Sequence, residues 1–230
     1  MPRLSVPVRG AVVGTVIGAV LTALVAVNER APIVRSGPEV IDAFLTDWRH
    51  QLDGTYVVVL AWQRTTAKGG HLEATETIAQ RPPDTFTHGL GTIEARRGDR
   101  RLACAEGASG KLDCRDAGPA PPFATAVRQR VANVASYLSG AARTYDVVRQ
   151  STHCYRLVQV VPVRSALDLP FGSRSTFCFD PVTGALRSRR TVRPSSMDSE
   201  VATSIRPIVR DADLAPVPGT PGGNTFVPGG

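Results

Sequence analysis

The chain has 230 residues and a formal net charge of +7, with 42% hydrophobic and 20% charged residues and a pI near 9.8. This basic balance does not indicate a nucleic-acid binder. Of the 27 basic residues only Lys68 and Lys111 are lysines, and the arginines are dispersed among acids and hydrophobes rather than gathered on one stripe. Such a surplus is read as a solvated surface, with attraction to anionic lipid headgroups or cell-wall polymers as the weaker functional reading.

Residues 10–28, GAVVGTVIGAVLTALVAVN, carry no charge and follow Arg3 and Arg9. The run matches the roughly 17–25 residues of a membrane-spanning helix, and the basic residues ahead of it predict a cytoplasmic N-terminus over 1–9. A cleaved signal peptide is the alternative. Its apolar core is usually about 7–15 residues long and ends in a small-x-small site, whereas Leu24 stands two positions before Ala26 here. No cysteine follows the run closely, which excludes a lipid anchor. A linker over 29–36 then leads to a domain expected over 37–212, on the far side of the membrane and long enough to bury a real core. A Pro/Gly-rich tail, 213–230, is expected to be disordered.

Within the domain, Pro38 suits a first helical position, and Val40, Ile41, Phe44, Leu45, Trp48 and Leu52 recur at helical spacing before Gly54. TYVVVLAWQR, 55–64, is β-branched and aromatic, with apolar residues on both faces, and so predicts a strand covered on both sides. Lys68-Gly69-Gly70 turns into a returning strand over 71–81, which Pro82-Pro83-Asp84 breaks. Short strands are expected over 85–89, 92–97, 100–105 and 111–115, punctuated by glycine turns that include 107–110. Phe123, Val127, Val131, Val134 and Leu138 predict a second amphipathic helix over 123–139, with Gly140 at its end. Strands over 144–150, 155–163, 174–179, 185–193 and 199–209 follow, and Asp180–Gly184, DPVTG, is a hairpin turn. Helix, strands, helix, strands is an α+β order, an antiparallel sheet with its helices on one face, and about ten strands should curl.

Four cysteines allow three pairings. Cys104 with Cys114 and Cys154 with Cys178 are favoured, because each links neighbours in an antiparallel meander and oxidised pairs fit an extracytoplasmic domain. A metal site is the rival, but the spacings are not those of zinc sites and only His153 adjoins a cysteine. His71 and His88 could meet across strands with Glu73 or Glu76, although no spacing requires it. There is no HExxH, GxSxG, Ser-x-x-Lys, phosphate loop or GxGxxG. No catalytic residue, cofactor or metal is therefore assigned.

The pattern Gly54-Thr55-Tyr56-Val57-Val58, then Arg81-Pro82-Pro83-Asp84, then the unit Cys154-Tyr155-Arg156-Leu157, Phe171-Gly172, Phe177-Cys178-Phe179-Asp180 and Thr183-Gly184-Ala185-Leu186 resembles extracytoplasmic proteins of high-GC bacteria in the lipoprotein-carrier, LolA/RseB-like superfamily. That resemblance implies an unclosed, strongly curved antiparallel sheet, a half-barrel with helices in its concavity. It also implies binding of lipids, lipoproteins or acyl chains, or sensing of them for a transmembrane regulator. It carries over no binding residue, and this chain lacks a lipidation cysteine.

The expected function is a membrane-anchored, non-catalytic extracytoplasmic module that binds a hydrophobic or lipid ligand or an envelope protein partner. The alternatives are a structural or regulatory envelope subunit without ligand, and an extracytoplasmic hydrolase. Tyr56, Trp62, Val127, Val131, Val134, Phe177 and Phe179 are the expected lining of an apolar cavity. An enclosed tunnel would favour the ligand reading, and a filled core would favour the partner reading.

Overall fold

Pro38 opens the first helix, α1, which spans Pro38–Asp53 and starts directly after Gly37 without a side-chain cap. This computed structural model describes residues 37–89, 92–106, 112–141, 143–160, 169–214 and 225–227. The apolar run 10–28 and its flanks 1–9 and 29–36, the turn at 107–110, the end of the strand expected over 155–163 and most of the tail lie outside these residues. Among the described residues no helix is long and apolar enough to cross a membrane.

After α1 the chain runs through six strands: β1 Tyr56–Thr66, β2 His71–Arg81, β3 Asp84–Gly89, β4 Thr92–Arg97, β5 Arg100–Glu106 and β6 Leu112–Pro119. Helix α2, Phe123–Leu138, follows Pro121-Pro122. Five more strands complete the set: β7 Tyr145–Ser151, β8 Cys154–Gln159, β9 Arg174–Phe179, β10 Leu186–Arg193 and β11 Ser196–Arg206. The short helix α3 is Asp211–Leu214, and β12, Thr225–Val227, pairs antiparallel with His71–Glu73 of β2. The main sheet is antiparallel in the order β6-β5-β4-β3-β2-β1-β11-β10-β9-β8-β7, and its edges β6 and β7 do not pair. It is a large sheet that does not close.

The expected strand over 199–209 instead starts at Ser196. Pro194-Ser195 makes the turn and Arg193 pairs directly with Ser196, so the hairpin is tighter than composition suggested. The last expected residues, 207–209, leave the sheet and cross to its other face.

Two cores flank the sheet, and β1 explains why. Tyr56, Val58 and Leu60 point to the inner face, which carries α1 and α2, and join Val40, Phe44, Leu138, Tyr155, Phe177 and Phe179 in one buried cluster. Val57 points to the outer face and packs with Ala79, Phe86, Ala95, Val209 and Leu214. The two-sided apolar character of β1 thus reflects helices on one side and the 207–214 segment on the other. Burial fades toward Thr66, where neither cover reaches.

Polar contacts fix α1 against the sheet. Asp47, on the buried side of α1, accepts a hydrogen bond from Tyr155 Oη (2.7 Å) and pairs with His153 Nδ1 (3.0 Å), so the nitrogen carrying the proton faces the carboxylate. His153 sits at φ 62° in the β7–β8 turn. The far end of α1 rests on the β9–β10 turn. A Cβ on Gly184, at φ +75°, would stand 2.6 Å from the His50 carbonyl group, and one on Gly54 would stand 2.3 Å from the Thr183 carbonyl oxygen. Within that turn Asp180 accepts from the Val182 and Thr183 amides. The glycines of the Gly54-Thr55-Tyr56 and DPVTG motifs are therefore where helix and turn touch.

Substituting Gly184→Ala should destabilise more than Gly69→Ala. Both sit at positive φ and incur strain of about 1–2 kcal/mol, but only Gly184 would also collide, since nothing lies within 4 Å of a Cβ at Gly69. Urea titration of the two variants checks this, and equal losses would mean that α1 does not bear on the turn. Phe44→Ala should cost about 3–5 kcal/mol, because Phe44 is wholly buried between the helix and three rings of the sheet.

Candidate functional site

Both expected disulfides are closed, Cys104–Cys114 and Cys154–Cys178. Each joins directly opposed residues of neighbouring strands, β5 with β6 and β8 with β9. The expected cavity lining is divided. Tyr56, Val134, Phe177 and Phe179 belong to the inner core, where Phe177 and Phe179 pack against Phe44 and Trp48 of α1. Val127 and Val131 are buried along α2 but belong to neither core cluster. Trp62 lines an open cavity, further along the same face of β1. Beneath α1, Phe44 reaches the sheet and meets Tyr155, Phe177 and Phe179 at ring-centroid distances of 5.4–6.2 Å.

The cavity at Trp62 has a volume of about 460 Å³. Its lining mixes apolar residues, Trp62, Leu72, Pro170 and Phe171, with the charged residues Arg64, Arg189, Arg193, Asp198 and Glu200, and Glu73 and Thr191 complete it. Strand register builds it. On β1 Trp62 lies opposite Glu200 of β11 and Arg64 opposite Asp198. On β10 Arg189 faces Glu200 and Thr191 faces Asp198. On β2 Leu72 lies opposite Arg64. Phe171 comes from the loop before β9, held by Tyr145, whose hydroxyl accepts from the Phe171 amide and donates to the Gly172 carbonyl.

The ions form two groups on neighbouring positions of the sheet, Arg64 and Arg193 with Asp198, and Arg189 with Glu200. Arg64 grips Asp198 with both arms of its fork, Nε to Oδ1 at 2.6 Å and Nη2 to Oδ2 at 2.9 Å, while its guanidinium lies 5.2 Å from the Trp62 ring centre. Arg193 adds a longer contact to Asp198 and donates to the Leu169 carbonyl. Arg189 donates to Glu200, a carboxylate only 2% exposed. Burial alone would raise the Asp198 carboxyl, but the hydrogen bonds and charges of Arg64, then of Arg193, hold it below the usual carboxylate range. Glu76, on β2 beside Leu60, moves the other way. Burial pushes it up, the Glu200 charge adds to that, Arg189 opposes it, and Glu94 contributes least.

Among the described residues no group of three or more His, Cys, Asp and Glu is placed to hold a metal ion. His71 contacts Glu73 at 2.8 Å, and His88 pairs in register with Thr77 and Ile93, so the two histidines occupy different positions of the sheet. Arg64, Arg189, Arg193, Asp198 and Glu200 were missed in the sequence reading. For the hairpin members a signal existed. Once the turn is placed at Pro194-Ser195, Arg189 falls opposite Glu200 by counting. Arg64 needs the β1–β11 pairing, which spans the whole domain and leaves no local trace.

A lowered carboxyl adds stability above its unfolded value of about 3.9, and that contribution is lost as pH falls through the folded value. Asp198→Asn should therefore cost about 1–2 kcal/mol at pH 7, discounted because the Arg64 side chain is 38% exposed, and distinctly less near pH 3. Denaturant titrations at the two pH values check it. An equal loss at both would assign Asp198 a packing role rather than an ionic one.

No protein-family model matches the chain, and no curated protein matches it in sequence. Solved structures do. A LolA superfamily protein from Nitrosomonas europaea is 6% identical with a TM-score of 0.32, over 76% of this chain and 97% of its own. The lipoprotein LppX of Mycobacterium tuberculosis is 12% identical with a TM-score of 0.33, over 76% and 99%. LprF from Mycobacterium bovis is 12% identical with a TM-score of 0.31, over 82% and 100%. No residue role is taken from any of them.

Proposed function

We propose that this chain is a non-catalytic, extracytoplasmic binding module that takes an amphipathic, lipid-like ligand in the cavity at Trp62. One observation carries the reading: an open cavity of about 460 Å³ lined by both apolar and charged side chains. That volume lies in the range of about 300–1,000 Å³ usual for small-molecule sites, and a mixed lining suits a ligand with an apolar body and a polar end. The body lies along Trp62, Leu72, Pro170 and Phe171. The polar end meets the arginine–carboxylate network. The carboxylates Asp198 and Glu200 are already engaged by arginines, an arrangement suited to holding shape and charge rather than to moving protons.

Two disulfides support a location outside the cytoplasm, where such bonds persist. Residues 10–28 would tether domain 37–212 there. The unclosed sheet, with both long helices on one face, supports a half-barrel whose concavity is partly filled by α1.

A second reading has its own support. The packing of Phe44 and Trp48 against Phe171, Phe177 and Phe179 beneath α1 favours an envelope subunit that binds a protein partner and no ligand.

Titrating the full chain with straight-chain alcohols from eight to twelve carbons separates the two. Affinity should climb with length by up to about fourfold per methylene, the free energy of burying that group, until the cavity is full. Trp62→Ala should weaken every member of the series. Absence of binding at all lengths would reject the ligand reading and promote the partner reading.

A further inference from the structure

The outer face of β8, β9 and β10 is not covered as the inner face is. Along β9, Ser175, Phe177 and Phe179 are buried, whereas Arg174, Thr176 and Cys178, which alternate with them, are not. No residue of β8 or β10 in register with those three is buried either. Register sets Arg156 of β8 and Arg190 of β10 on either side of Thr176. At the usual strand spacing the two stand about 10 Å apart, and Arg174 lies about 7 Å along β9 from their row. Building on the reading that residues 10–28 tether the domain, we propose that this face docks on an anionic lipid bilayer, with Arg156, Arg174 and Arg190 meeting the headgroup phosphates.

Among the described residues none of these three arginines joins an ion pair. Arg190 Nε donates to Met197 Sδ, and Arg156 lies beside the neutral side-chain amide of Gln150. The carboxylates Asp146 and Glu73, at outer-face positions of β7 and β2, are taken by Arg143 and His71. The other half of the outer face shows how the fold treats arginines that it covers. There the 207–214 segment packs through Val209 and Leu214 and brings Asp211 to Arg81 and Asp213 to Arg206. The half at β8–β10 keeps its positive charge unmatched, and such a face attracts anions.

A bilayer suits this face better than an acidic peptide does. β8, β9 and β10 each have a strand on both sides, so none offers a free edge to an added strand. What remains is side-chain charge spread over a surface, and repeated headgroup phosphates match that, since an arginine fork suits phosphate. Linker 29–36 spans at most about 29 Å when fully extended, so a tethered domain stays within reach of the headgroups. Each arginine near an anionic leaflet favours the docked state by about fivefold, and the three act together.

The test places the full chain in nanodiscs of phosphatidylcholine, alone or mixed equally with phosphatidylglycerol. Arginines are labelled with 4-hydroxyphenylglyoxal and mapped by mass spectrometry. Arg156, Arg174 and Arg190 should label at least about fivefold more slowly in the anionic discs. Arg128 and Arg130, exposed on α2 at the other face, should label equally in both. In about 1 M sodium chloride, where charges are screened beyond about 3 Å, the protection should vanish. Arg174→Glu should reduce the protection of Arg156 and Arg190, and if that variant does not fold the parent chain still decides. Equal labelling of the three in both discs, or equal slowing of Arg128 and Arg130, overturns the docking face and leaves the tether standing. Protection by added polyglutamate in neutral discs, with none from the anionic lipid, overturns it in favour of an acidic protein partner. A chain that neither disc retains overturns the tether reading, and this inference with it.

Discussion

The register between β1 and β11 joins the first strand of the domain to its last long one. Val57 pairs with Arg206 and Thr66 with Ser196, so two meanders, β1–β6 and β7–β11, become one sheet. The cost is steep, because about 140 residues must be ordered before the pairing forms, and non-local strand pairing is slow to nucleate. The return is that one seam sets both halves of the inner face. Toward Tyr56 it aligns aliphatic and aromatic residues for the helices, and toward Thr66 it aligns Trp62 with Glu200 and Arg64 with Asp198. A slip by one residue would send every one of these side chains to the other face. A register irregularity between Val59 and Leu60 lies in the transition from the first half to the second.

The division of that face follows from which parts are covered. Under α1 the sheet is sealed by rings. Phe44 meets three of them, and Trp48 meets Phe171, Phe177 and Phe179. Sealing is energetically sound there, because a void in that layer would forfeit contacts on all sides. Past Leu60 the same face carries charges. Apolar packing cannot cover charged groups cheaply, and each must keep water or a partner. The arginines meet this by pairing with Asp198 and Glu200 while leaving part of their side chains in solvent, and the result is a cavity rather than a core. Phe171 belongs to both regions. It packs on Trp48 and also lines the cavity, so the rigid layer forms one wall of the open one.

The elements themselves were legible because their signals are local. Pro38 and the apolar spacing to Trp48 specify α1, and the alternation of 71–81 and the turn at DPVTG specify their strands. The paired cysteines are legible for the same reason, since each pair sits on adjacent antiparallel strands. The two-sided apolar character of β1 was read correctly as cover on both faces, while the identity of the outer cover, Val209 and Leu214, lay 150 residues away. The site was far less legible. Phe177 and Phe179, expected as cavity lining, pack against Phe44, since a helix packs readily against rings. Six of the eleven residues lining the Trp62 cavity are arginines and carboxylates, dispersed along the sequence and therefore read as solvated surface. Only register brings them to one face, and register between β1 and β11 leaves no mark in composition or periodicity.

The central claim is that the inner face is solid beneath α1 and open at Trp62. Photolabelling tests it most directly. The full chain is irradiated with a long-chain alkyl alcohol bearing a diazirine in its tail, then digested and mapped by mass spectrometry. The account predicts saturable labels on peptides carrying Trp62, Leu72 and Phe171, competed by unlabelled alcohol. Labels concentrated on Val127, Val131, Val134 or Phe179, or labelling that excess competitor does not reduce, would contradict it.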